Sequence, residues 1–279
     1  MEFAAHDGTR LVGTLTPGGA PAALILSGSG PLDRDSNMKG QALNVGNALA
    51  EALAARGAAS LRYDKRGVGE SGGDYLTTGF ERETDDARAA LDALDADAHV
   101  VIGHSVGATI AIRLAAEQDL AGVVLLAAAA RPGAAVMQIQ SERIAATVPR
   151  LARGFFLRRQ TAARRKLLES TGDVARVGFG RLPARWFREY MAYDPVADIR
   201  AIRCPVLAIT GRSDLQVDPA EVGRIGELVT TTFTGESPDA LTHLLRLSPD
   251  RPSLRTYAKQ LKDPVDPALL ERVARWVSP

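Results

Sequence analysis

The chain is poor in sulfur nucleophiles and in imidazoles, with one cysteine and four histidines among 279 residues. A lone Cys204 excludes an intramolecular disulfide, and no second cysteine stands at metal-ligand spacing. It lies in the apolar run Ile202-Arg203-Cys204-Pro205-Val206-Leu207, so a buried, unreactive thiol is expected. An excess of charge of either sign is also missing. Lys and Arg number 34 against 33 Asp and Glu, a net of +1, which gives no global pull towards nucleic acid or an anionic membrane. No apolar run reaches the length of a membrane span; the longest, residues 120–130, fits a strand and its exit loop. Residues 1–15, MEFAAHDGTRLVGTL, hold no apolar signal core. A cytoplasmic protein without stable membrane insertion is therefore expected. His-Glu-x-x-His and Cys–His pairs are absent too, so neither a metal nor a cofactor is called for.

What is present is an ordinary globular composition, 46% hydrophobic and 24% charged. The length suits one large α/β domain. Short apolar runs alternate with amphipathic stretches, the pattern of parallel strands joined by helical crossovers. Strands are expected at residues 11–15, 22–26, 59–62, 100–102, 123–126, 206–209 and 230–233. Helical spacing runs through 42–55, 81–94, 108–117 and 267–277, the last with Asp266 as its cap and Pro267 at its first position. Helix stops are expected at Gly57 and near Gly122. Between Gly133 and Tyr193 the rhythm breaks into about sixty residues that are helical in character and lack a strand. A helical lid over 134–193, inserted into a core of 1–133 and 194–279, is the natural expectation, since so long a connection is seldom structureless.

The chemistry concentrates in Val100-Val101-Ile102-Gly103-His104-Ser105-Val106-Gly107-Ala108-Thr109-Ile110-Ala111. An apolar strand leads into G-x-S-x-G and then into a helix. A serine on such a tight turn raises its hydroxyl above the sheet only if its neighbours lack bulk, and Gly103 and Gly107 supply that clearance. The new helix offers free N–H groups and a positive dipole end to developing negative charge. Three further stretches matter. They are Gly28-Ser29-Gly30-Pro31-Leu32-Asp33-Arg34-Asp35, Arg62-Tyr63-Asp64-Lys65-Arg66-Gly67-Val68-Gly69-Glu70-Ser71, and the segment from Cys204 to Val217. With the serine turn, they make the chain resemble bacterial α/β-hydrolases of the esterase and serine-aminopeptidase-like group, over nearly its whole length. The resemblance implies an α/β-hydrolase fold: a mostly parallel eight-stranded sheet, helices on both faces, and a lid after the sixth strand.

In that fold the catalytic residues follow the order Ser, then Asp or Glu, then His. His6 and His99 precede Ser105, and His104 adjoins it where side chains diverge, so His243 remains as the base. The acid is expected at Asp214, directly after the strand 206–209. Asp218 is its rival but sits beside Pro219 at a helix start, where capping explains it; Glu236 and Asp239 are weaker. An oxyanion needs two preorganised donors. One is the backbone N–H of Val106. The second, by the resemblance, is the N–H of Ser29, although Ser27 stands where many relatives have histidine. The glycines of this loop do not make a phosphate loop, because Gly-Lys-Ser/Thr is missing and Pro31 removes a donor. Asp33, Arg34, Asp35, Asp64, Arg66 and Glu70 are expected to form an ion-paired frame around it.

Seven basic residues and no acidic one lie between Arg150 and Lys166, followed by Phe179, Trp186, Phe187, Tyr190, Met191 and Tyr193. One reading is a solvated basic face over an apolar one. The other has the aromatics, Trp186 and Phe187 first, lining an acyl pocket while the cations attract anionic substrates or a membrane surface. No recognition motif points to nucleic acid. The expected activity is hydrolysis of small or medium acyl carboxylic esters through an acyl-enzyme. Thioesters, aminopeptidase-like amide cleavage and carbon–carbon bond hydrolysis are alternatives, as is a non-turnover ligand-binding protein. The expected partner is a small-molecule ester, and oligomeric state is not readable from the sequence.

Overall fold

The computed structural model describes residues 1–248 and 253–278. The chain opens with β1 (Glu2–Ala4), β2 (Arg10–Thr16) and β3 (Gly19–Leu26). It continues through α1 (Val45–Ala54), β4 (Ala58–Tyr63), α2 (Phe80–Asp92), β5 (His99–His104), α3 (Val106–Glu117) and β6 (Gly122–Leu126). An insertion follows, made of α4 (Gly133–Thr147), α5 (Arg150–Glu169), β7 (Val174–Val177), β8 (Gly180–Pro183) and α6 (Ala184–Ala192). The core resumes with α7 (Val196–Ala201), β9 (Val206–Ile209), α8 (Glu221–Leu228), β10 (Phe233–Glu236), α9 (Tyr257–Gln260) and α10 (Pro267–Val277).

Eight strands form one sheet in the order β1-β2-β4-β3-β5-β6-β9-β10. The two pairings that involve β2 are antiparallel and the other five are parallel. The central strands alternate faces with a period of two, yet both faces are buried. Leu24, Leu26, Val101, Val123, Leu125, Val206 and Ala208 join one core cluster with residues of α2, α3 and α6. Ala23, Ile25, Val100, Ile102, Val124, Leu126, Leu207 and Ile209 join the other with α1 and α10. Helices on both faces explain why these strands read as unbroken apolar runs. Asp266 caps α10, accepting from the amides of Ala268 and Leu269.

Four expectations need correction. β1 is too short and too polar to stand out as a strand; pairing with β2 makes it one. The last strand lies at Phe233–Glu236, not 230–233, because its parallel register against β9 starts with Phe233 opposite Val206. Gly122 opens β6 rather than closing a helix; its bare α-carbon faces the Trp276 ring, which an added Cβ would approach to 2.7 Å. The insertion after the sixth strand is not purely helical, since β7 and β8 form an antiparallel hairpin. Its buried side chains concentrate in α6, at Ala184, Trp186, Tyr190 and Met191, whereas α5 buries only Leu167. α6 packs on α2 and so roots the insertion on the core. No described helix is long and apolar enough to cross a membrane.

Candidate active site

Ser105 stands between β5 and α3 with φ 56° and ψ −119°, a conformation that costs a non-glycine residue about 1–3 kcal/mol and is found where a site over-determines it. The surroundings leave no room for side chains beside it. A Cβ on Gly103 would lie 2.3 Å from the Gly107 carbonyl oxygen, and one on Gly107 the same distance from that of Leu26. The loop after β3 runs against the serine: a Cβ on Gly28 would sit 3.4 Å from Ser105 Cβ. Val106 is the first residue of α3, so its amide precedes any acceptor within the helix. Ser105, Val106 and Ser29 all line one cavity of about 490 Å³.

Asp214 and His243 come together across 29 residues of sequence. His243 Nδ1 lies 2.8 Å from Asp214 Oδ2, and both side chains are buried. The other carboxylate oxygen, Oδ1, accepts from the amides of Gln216 at 2.7 Å and Val217 at 2.9 Å. The carboxylate is therefore held by three N–H groups and the imidazole is held by the carboxylate. Asp218 is engaged elsewhere, accepting from the Ala220 amide and lying 3.4 Å from Arg143. Asp239 lies beside Arg212, and Glu236 accepts from Arg272. None of these three rivals approaches His243 as Asp214 does. The cavity wall comes from the core through Ser29, Ser105, Val106, Gln216 and Val217, and from the insertion through Met137, Leu182, Trp186, Phe187 and Tyr190.

A family profile described as Hydrolase_4, serine aminopeptidase, S33, matches residues 40–243, which takes in Ser105, Asp214 and His243. The chain belongs to this family. Among relatives of the S33 chain, esterase EstD from Thermotoga maritima is 28% identical over 273 residues, covering 92% of this chain. The chain spans only 62% of that protein's length. In structure it is similar to Est1E from Butyrivibrio proteoclasticus with ferulic acid bound, at 17% identity, a TM-score of 0.65, and coverage of 99% and 98% of the two chains. The Pyrococcus furiosus esterase Pf2001 aligns at 20% identity with a TM-score of 0.63, covering 99% and 88%. At such identities these likenesses speak for the α/β-hydrolase fold.

The S33 chain holds its site with buried polar groups that the motifs alone did not single out. His104 is buried, and its Nε2 lies 2.9 Å from the His243 carbonyl oxygen. A carbonyl can only accept, so Nε2 carries the hydrogen. Burial, reinforced by the nearby His243, pushes the His104 pKa down to about 3, which leaves a neutral strut. The buried Arg246 donates to the carbonyls of Leu43, Leu244 and Asp263, tying down the loop that carries His243. Arg143 of α4 donates to the Asp214 carbonyl at 2.7 Å.

The loop after β3 is braced in two ways. Ser27 Oγ lies 2.9 Å from Ser36 Oγ, and Lys65 Nζ donates to the Gly28 carbonyl at 2.5 Å. Lys65 in turn pairs with the buried Glu83, which accepts from the Trp186 indole at 2.5 Å. Trp186 is thus a core residue and a cavity wall at once. It stacks on Tyr190 and meets Phe80 and Phe187 edge-on. Of the charged set, Arg34, Asp64 and Glu70 are linked by ion pairs as expected, whereas Arg66 engages Asp7 and Asp86 outside the set. Asp64 accepts from the Arg34 guanidinium and from the amides of Arg34 and Glu70. Burial would raise its pKa, but these donors outweigh burial and hold the carboxyl below its ordinary range. Asp35 pairs with Arg62, Arg66 with Asp86, and Asp33 accepts from the amides of Asp35 and Asn37. A lone His or Lys beside a catalytic motif gives no sequence signal of such a role, because its partners lie far away in the chain.

Proposed function

We propose that this chain is a serine hydrolase that cleaves carboxylic esters of small or medium acyl groups through an acyl-enzyme. Ser105 attacks the carbonyl carbon, and His243 accepts its proton and passes it to the departing alcohol. Water then releases the acid, with His243 serving again as base and then as acid. Asp214 keeps the hydrogen of His243 on Nδ1, so that Nε2 is free to accept, and stabilises the imidazolium without taking the proton. The amides of Val106 and Ser29 receive the oxyanion, where preorganised donors are worth about 3–4 kcal/mol each. Residues 134–193 act as a lid domain, and Trp186 and Phe187 give acyl-binding surface.

The observation that carries this reading is the His243–Asp214 contact at 2.8 Å, on a loop tied through the His243 carbonyl to His104, the residue before the strained Ser105. The esterase named among its relatives speaks for the same chemistry. The family description favours a second reading, release of an amino-terminal residue from a peptide. That substrate brings an ammonium group, and among the described residues lining the cavity there is no carboxylate to receive it. A fluorophosphonate probe should label the wild-type protein and not Ser105→Ala. A screen across acyl esters, thioesters and aminoacyl amides should show ester turnover. Absence of labelling, or turnover of amides alone, would refute the proposal.

A further inference from the structure

Among the described residues lining the cavity, Arg181 is the one formal charge; the others are apolar or neutral polar. Arg181 belongs to β8, on the hairpin of the insertion, and its cross-strand partner in β7 is Arg176. Partners in an antiparallel pair project from the same face, so two guanidinium groups stand side by side there. Like charges placed directly opposite one another disfavour a hairpin. The pair's immediate neighbours do not relieve this, for they are Ala175 with Leu182 and Val177 with Gly180. Nor do the ion pairs of the insertion, in which Arg165 engages Glu169 and Arg185 engages Glu189. Both arginines are exposed. The whole segment is lopsided: residues 150–189 contain eleven Lys and Arg and three Asp and Glu. A cleft walled by one sign of charge concentrates ligands of the other sign.

We propose that Arg181, supported by Arg176, receives an anionic group on the substrate, so that the preferred esters carry a carboxylate away from the reacting carbonyl. This deepens the serine ester hydrolase reading and rests on it. The apolar lining between core and hairpin accommodates the carbon skeleton, while Ser105 and Arg181, both on the wall of the same cavity, address its two polar ends. Guanidinium is suited to this because its planar fork binds a carboxylate through two parallel N–H groups. The charge also accounts for a pair that the hairpin alone does not need.

The test compares neutral and anionic esters of equal length and matched leaving group. For the acyl half, para-nitrophenyl monoesters of straight-chain dicarboxylic acids are set against para-nitrophenyl esters of the corresponding monocarboxylic acids. For the alcohol half, para-acetoxyphenylacetate is set against its primary amide, in both of which a methylene insulates the phenol oxygen from the distal group. The wild-type protein should favour the anionic member in one of the two pairs by about tenfold in kcat/KM at low salt, as a charge-assisted contact allows, and the pair concerned says which half reaches Arg181. The preference should shrink as ionic strength rises, fall towards unity in Arg181→Gln, and invert in Arg181→Glu, with Arg176→Gln showing a partial loss. The ratio is read within one preparation, so poor folding of a variant does not distort it, and the wild-type comparison needs no variant at all. Equal rates on both members of both pairs would overturn this inference and leave the esterase reading standing. No turnover of any ester together with no fluorophosphonate labelling would overturn the esterase reading itself. A preference that survives unchanged in Arg181→Glu would also overturn the role given to this residue.

Discussion

Replacing Asp214 by Asn tests the proposed division of labour most sharply, because the surroundings dictate which way the amide must point. The amides of Gln216 and Val217 both donate to Oδ1, at 2.7 and 2.9 Å. An asparagine keeps its oxygen there, since the reverse orientation would set an NH2 against two N–H donors. The NH2 group then faces His243 Nδ1 across the 2.8 Å contact. A donor in that place selects the imidazole tautomer with its lone pair on Nδ1 and its hydrogen on Nε2, so the Ser105 proton has no acceptor. The expected loss in kcat is about ten-thousandfold, as for the equivalent change in serine proteases, or ~5.5 kcal/mol of barrier. Stability should suffer far less. Two of three hydrogen bonds to the group survive, and the third becomes neutral, a cost of about 1–2 kcal/mol. Steady-state and burst kinetics on a para-nitrophenyl ester, with thermal melts alongside, separate the two effects. Asp218→Asn is the control: it keeps the turn to the Ala220 amide and loses only a part-exposed charge near Arg143, worth about 0.5 kcal/mol. An Asp214→Asn protein that melts near wild type and retains more than about a tenth of the activity would refute the reasoning.

Ser105→Ala should abolish ester turnover while keeping the fold. Ser105→Gly should in addition raise the melting temperature, because glycine accepts φ 56° without the ~1–3 kcal/mol strain paid by other residues. The buried His104 gives a pH signature. Its folded pKa of about 3 lies below the ordinary 6.5, so its contribution is intact above pH 6.5 and is lost as the unfolded chain alone takes up a proton between these values. Urea unfolding of the wild type should therefore lose up to ~1.4 kcal/mol per pH unit more than His104→Gln across that window; parallel profiles would count against a neutral buried His104. Phe187→Ala should shift preference among acyl lengths by about 1–3 kcal/mol per methylene with modest loss of stability. Trp186→Ala should also cost about 3–5 kcal/mol of stability, since that ring is buried and its indole serves Glu83. A Trp186→Ala protein as stable as wild type would remove the core role.

The helix α10 was legible to the residue because a capping Asp, a proline at the first position and an apolar period coincide in Asp266-Pro267 and the turns that follow. The central strands were legible because burial on both faces demands unbroken Val, Ile, Leu and Ala. β1 and the hairpin of β7 and β8 were not. Glu2–Ala4 carries little of its own preference, and Val174–Pro183 holds two glycines and two arginines, so in both cases the pairing partner supplies the stability that local sequence lacks. Residues 230–233 look like a strand through three threonines, yet the register against β9 draws the strand onward to Glu236; strand propensity is weaker than strand pairing.

At the site the same boundary holds. The tight turn around Ser105 follows from local spacing, while His243 and Asp214 were expected from the residue order that the resemblance implies together with the scarcity of histidine. That Asp214 rather than its rivals touches His243 needed the folded chain to be seen, and how His104 and Lys65 are engaged and why Trp186 belongs to core and cavity together were not expected at all. Asp214 and His243 are 29 residues apart, His104 and His243 are 139, and Glu83 and Trp186 are 103. Buried polar groups must find partners within hydrogen-bond reach, and only the folded chain decides which groups are buried beside one another. The sequence by itself pointed to the α/β class through periodic burial, to the α/β-hydrolase fold through its resemblance, and to the tight serine turn through local backbone geometry. The bracing of the loops, the lining of the cavity and the charge set beside it were decided by tertiary structure, since they rest on long-range proximity.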